Sequence, residues 1–149
     1  MRSLNEYITL NESGEYNLRP NSALELKKLI GQRIKEQGPN CDLNDIDVSR
    51  VKDMSYLFYD SKFNGDISQW DTSKVENMSF MFDKSEFDGD ISNWNVSRVK
   101  NMSSMFENSK FNGDISQWDV SKVKIMSFMF ADSKFNGDIS QWDVSKVEN

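Results

Sequence analysis

The chain has no histidine and one cysteine, Cys41. The first absence removes the side chain that most often carries protons near neutral pH and most often binds transition metals. The second excludes an internal disulfide and a cysteine-built zinc site, so Cys41 reads as a buried, inert thiol. Basic residues are in deficit as well: 18 Lys and Arg face 24 Asp and Glu, for a net charge of −6. Nucleic-acid surfaces carry a basic stripe that follows the phosphates, so a nucleic-acid partner is not expected. No run approaches the roughly 18 apolar residues of a membrane span. The opening MRSLNEYITLNESGEY also lacks the apolar run of a signal peptide, so the chain as written is expected to be cytoplasmic.

What the chain has in abundance is self-similarity. Tryptophan recurs at Trp70, Trp94, Trp118 and Trp142, always 24 residues apart, and Gly65, Gly89, Gly113 and Gly137 keep the same step. A fixed period of this size is the mark of a solenoid, whose units bury their apolar faces only against neighbours. Full units run 51–74, 75–98, 99–122 and 123–146, and DLNDIDVSR at 42–50 aligns as a half-unit with Ile46 in the tryptophan position. Val147, Glu148 and Asn149 open a further unit. The reading therefore divides the chain into a polar lead-in at 1–19, a capping helix within 20–39, and a repeat array at 40–149. In the lead-in, Ser3 and Glu6 have capping-box spacing for a short helical turn, and NESG at 11–14 signals a turn. The helix is expected over 22–37. Ser22 and Glu25 have capping-box spacing, Leu26, Ile30 and Ile34 fall on one face, and Gly38 and Pro39 stop it. A one-sided helix at the start of an array serves as its lid.

Within a unit, W-D-V-S alternates apolar and polar residues as a short strand does. N-M-S-F-M-F has no Gly or Pro, starts on an N-capping residue and places Met78, Met81 and Phe82 at helical spacing. The F-N-G-D segment then turns the chain, with Gly supplying positive φ. The expected fold is an α/β solenoid of short parallel strands and short helices, leucine-rich-repeat-like. The structural alternative is a wholly β, three-sided helix, which absence of helix at 77–82 would distinguish.

The unit V-x-N-M-S-x-M-F-x-x-S-x-F-x-G-D-I-S-x-W-D-V-S-[KR] resembles the roughly 25-residue repeat of BspA-like bacterial surface proteins, a domain of unknown function found in mycoplasma and Listeria lipoproteins and grouped with leucine-rich repeats. The likeness covers residues 42–149, and the helix followed by GPNCDLNDIDVS is similar to the entry segment of such proteins. Against the leucine-rich consensus, Val75 stands at the asparagine position, which departs from an asparagine ladder. The resemblance implies a recognition scaffold, often on a cell surface. The signal peptide and lipidation cysteine of secreted members are not seen here, so surface display is not carried over. The start MRSLNEYI is also similar to that of some large-phage proteins.

Two surfaces are candidates for contact with a partner. Asp71, Asn95, Asp119 and Asp143, preceded by Asp47, form a column that could meet a basic partner or calcium, or could be a solvated face balanced by Arg50, Lys74, Arg98, Lys122 and Lys146. The nine-residue glycine-rich pattern of calcium-binding repeats is absent, and neither a metal nor a cofactor is expected. The second surface comes from positions where the copies differ. Tyr56, Tyr59, Phe80, Ile125 and Phe128 would form a contact face, with Ile125 replacing the Asp or Asn of the other units; sequence drift is the competing explanation. With no histidine, no activated cysteine and no carboxylate pair outside the repeat, an enzyme is not expected. The expected function is a non-enzymatic protein-binding or scaffold module. The alternatives are a phage- or bacterium-encoded inhibitor of a host protein, or an adhesin-type fragment. Self-association through the open C-terminal end is a further expectation.

Overall fold

The computed structural model describes residues 8–10 and 16–149. The expected turns around Ser3–Glu6 and NESG at 11–14 lie outside the described residues. A hairpin comes first: β1 (Ile8–Leu10) pairs antiparallel with β2 (Tyr16–Leu18). Next is one helix, α1 (Ala23–Gln37). Its N-cap is Ser22, whose hydroxyl accepts the Glu25 N–H, while a Glu25 carboxylate oxygen accepts the Asn21 N–H. At its other end Gly38 takes φ 89° and donates its N–H to the Ile34 carbonyl. Leu26, Leu29 and Ile30 bury the inner face of α1 against the first residues of the array.

The repeats do not form the expected α/β solenoid. From residue 38 onward the described chain holds no helix and no strand, only turns and single parallel bridges, Asp42 to Asp66 and Asp53 to Asn77 to Asn101 to Ile125. The short strands expected over W-D-V-S, the helices over N-M-S-F-M-F and the leucine-rich-repeat-like pattern are all absent. Helix is missing at 77–82, yet the regular strands of a three-sided β-helix are missing too.

The reason lies in where the backbone N–H groups go. In 75–98, the N–H groups of Met78, Phe80, Phe82 and Lys84 donate across to Asn101, Ser103, Met105 and Glu107 of the next unit at 2.9 Å. The groups between them, on Met81, Asp83 and Ser85, close three-residue turns onto Met78, Phe80 and Phe82. A helix would send all of them four residues back along the same segment. The alternation instead requires left-handed residues, and Phe80 and Lys84 take φ 56° and 57°. Likewise the Trp94 N–H turns back to Ile91 and the Val99 N–H to Val96, so W-D-V-S never joins a ladder.

Side chains complete the turns. Asn77, Asp90 and Asn95 each accept, on Oδ1, the N–H of the serine two residues on, and the Ser85 hydroxyl accepts the Phe87 N–H. The Asn-x-Ser triplets are therefore turn-formers, and Asn77 and Asn101 cap no helix.

The apolar columns run through all units. Phe58, Phe82, Phe106 and Phe130 stack at 5.5 to 5.8 Å, and Phe63, Phe87, Phe111 and Phe135 at 6.1 to 6.3 Å. Trp70 stacks on Trp94 at 6.2 Å and Trp118 on Trp142 at 6.5 Å. Each indole N–H reaches back to a carbonyl: Trp70 to Leu43, Trp94 to Ile67, Trp118 to Ile91, Trp142 to Ile115. The repeat glycines serve this closeness rather than positive φ, which among the described glycines only Gly38 takes. A Cβ on Gly65 would stand 1.8 Å from the Cys41 carbonyl oxygen.

Candidate functional site

Three units, 51–74, 75–98 and 123–146, place an aromatic at a left-handed turn: Tyr56, Phe80 and Phe128. Tyr56 and Phe80, at φ 59° and 56°, stack face to face at 4.7 Å. Tyr59 meets Tyr56 edge-on at 5.7 Å, and the Lys84 ammonium lies 5.6 Å above the Tyr59 ring, donating to its hydroxyl at 3.5 Å. Tyr56 and Tyr59 are 42% and 41% exposed, so this trio is an apolar, ring-lined patch in contact with solvent.

The structure brings Tyr56, Tyr59 and Phe80 together but keeps Ile125 and Phe128 apart from them. Ser104 holds the intervening position of the column, buried at φ 52°. Phe128 lies beyond it with 71% of its surface exposed, and Ile125 beside it is 36% exposed. Ile125 bridges to Asn101 like its equivalents, but it brings no acceptor for the Ser127 N–H.

The acidic column has a structural employment. Asp71, Asp119 and Asp143 are exposed, and each accepts the N–H of Ser73, Ser121 or Ser145 at 3.0 Å. Hydrogen bonds from those serines, side chain first and backbone second, hold all three carboxyls below the usual Asp range. Asn95 fills the same place and makes the same turn with Ser97. The charge is thus not what the turn needs.

Two features went unread in the sequence. Asp83 is 5% exposed and its Oδ1 has no hydrogen-bond partner. Burial, then repulsion from Glu107, pushes its carboxyl up. Its position was visible as a varying column with Tyr59, Glu107 and Ala131, but only the fold shows it closed off. The second is an Asn/Asp ladder at 64, 88, 112 and 136. The Oδ1 atoms of Asn64, Asp88 and Asn112 each accept the backbone N–H of the next member at 2.8 to 2.9 Å. The 24-residue recurrence of Asn or Asp before Gly was its signal.

Residues 28–133 and 85–149 match the family described as Mycoplasma protein of unknown function, DUF285. The chain belongs to this family. The two matched stretches overlap, as a periodic sequence allows, and together run from within α1 to the last residue, so the DUF285 region takes in the whole stack. No curated protein and no solved structure matches the chain. The description of DUF285 carries no activity, and the leucine-rich-repeat likeness has no counterpart in this DUF285 chain. No helix among the described residues is long and apolar enough to cross a membrane.

Proposed function

We propose that this DUF285 chain is a non-enzymatic recognition module acting in the cytoplasm, and that it contacts a protein partner through the edge carrying Tyr56, Tyr59 and Phe80, with Phe128 and Ile125 as a second contact further along. One observation carries the reading. Aromatic rings occupy left-handed turn positions, where a bulky side chain costs on the order of 1 kcal/mol, although Ser104 shows that the turn forms with a serine. Core packing does not explain them, because Tyr56 is 42% exposed and Phe128 71% exposed. Exposed, preformed aromatic contacts are what protein interfaces are built around.

The internal copies supply the test. Serine at 56, 80 and 128 reproduces what position 104 already has, so the triple variant Tyr56→Ser, Phe80→Ser, Phe128→Ser should keep the fold. Partners captured from the source cell by the wild-type chain should be lost from this variant, while the variant Asp71→Asn, Asp119→Asn, Asp143→Asn retains them. Retention by the serine variant, with an unchanged melting temperature, overturns the proposal.

A further inference from the structure

Beside the rings of Tyr56, Tyr59 and Phe80 lies a carboxylate oxygen without a use. Asp83 is 5% exposed, it occupies the position equivalent to Tyr59 one unit on, and its Oδ1 accepts no hydrogen bond. The Asn108 amide is beside it, and its charged neighbours are Glu107, Lys84 and Asp60, so two of the three repel it. The one cation, Lys84, follows it in the chain but goes elsewhere. Its exposed side chain holds the ammonium 5.6 Å from the centre of the Tyr59 ring and 3.5 Å from the Tyr59 hydroxyl. Both distances are long for such contacts. Lys84 thus marks the Tyr59 face as a seat for a cation and occupies it loosely. The seat does not suit a metal ion, since among the described residues no three carboxylate, histidine or cysteine ligands stand together to hold one.

We propose that this edge receives an arginine side chain of its protein partner, the guanidinium displacing Lys84 from the Tyr59 face and donating to Asp83 Oδ1. The inference rests on the reading of the edge as an interface and adds what the partner presents to it. Charge complementarity carries it: Asp60, Asp83 and Glu107 against Lys84 leave the neighbourhood negative, so it attracts a cation. Arginine fits better than lysine. Its guanidinium is planar, stacks on a ring and carries five donors, enough to lie on Tyr59 and still reach a carboxylate. A lysine ammonium would only repeat the contact Lys84 already makes. The arriving donor also gives Asp83 the hydrogen bond whose absence is costly in a buried carboxylate.

The probe is N-acetyl-arginine methylamide, titrated into the full chain and followed by backbone amide chemical shifts. Its lysine and citrulline analogues are the controls, citrulline keeping the planar shape without the charge. The arginine probe should saturate at roughly 1–10 mM, with shifts centred on Tyr56, Tyr59, Phe80 and Lys84. Asp83→Asn should weaken it at least about tenfold. Lys84→Asn copies Asn108, which takes the same left-handed turn at φ 53°. By removing the internal competitor it should tighten binding about twofold or more. No saturation, equal affinity for the citrulline or lysine probe, or an unchanged Kd in Asp83→Asn each overturns the proposal and leaves the edge standing as an interface. Failure of that underlying reading shows separately, as captured partners retained by the serine variant at 56, 80 and 128.

Discussion

A single added methyl group separates two kinds of glycine in this chain. At Gly65 it would meet the Cys41 carbonyl oxygen at 1.8 Å, whereas at Gly31, inside α1, nothing lies within 4 Å. Gly65→Ala should therefore cost about 1–3 kcal/mol, and Gly31→Ala should gain about 0.5–1 kcal/mol, both read from urea unfolding. Asp83 is the other residue whose surroundings decide its sign. Its folded pKa is raised, so its favourable contribution is complete below the unfolded value of 3.8 and is lost as pH rises through the folded value. Asp83→Asn should raise the melting temperature at pH 7, and by more than at pH 4. Neither the clash at Gly65 nor the burial of Asp83 can be read from a repeat pattern, because both depend on which atoms of the preceding and following layers come close.

At the scale of the element, α1 was legible almost to the residue. Its stop and start signals are local: a serine that caps, a glutamate that reaches back, a glycine that can take φ 89°. The repeat unit was legible only in part. Met78, Met81 and Phe82 are all fully buried, as their spacing implied, and Trp94 and Val96 point inward around an exposed Asn95. Helical spacing and successive tight turns put the same residues inside, so periodicity identified the core without identifying the backbone. The turns make their own predictions. Asp71, Asp119 and Asp143 have lowered folded pKa values, so the stability they add is present above 3.8 and is lost as pH falls through the folded values. Replacing all three with Asn should preserve the pH 7 melting temperature, as Asn95 implies, and flatten the loss of stability below pH 4. Ile125→Asn should restore an acceptor for Ser127 and gain about 0.5–1.5 kcal/mol in a denaturant titration.

Across the whole molecule, protection should follow the burial of each unit. Phe82, Phe87 and Trp94 are 4% exposed or less, while Phe130, Phe135 and Trp142 are half-buried. In a stack where units lean mainly on neighbours, the less buried unit opens more readily. Amides of 126–142 that close turns, such as Met129 and Trp142, should exchange faster than their equivalents Met81 and Trp94. Equal protection across the units would show that the layers open only together.

The sequence by itself determined the period, the number of layers, the residues that face inward and the helix that covers the first of them, because each of these follows from side-chain hydropathy at a fixed spacing or from local capping. What it left open was the course of the backbone between those residues. That was decided only when one unit lay against the next, since alternate N–H groups found carbonyls 23 residues ahead, where a helix would have turned them back along its own segment, while the N–H groups between them closed tight turns that no strand makes.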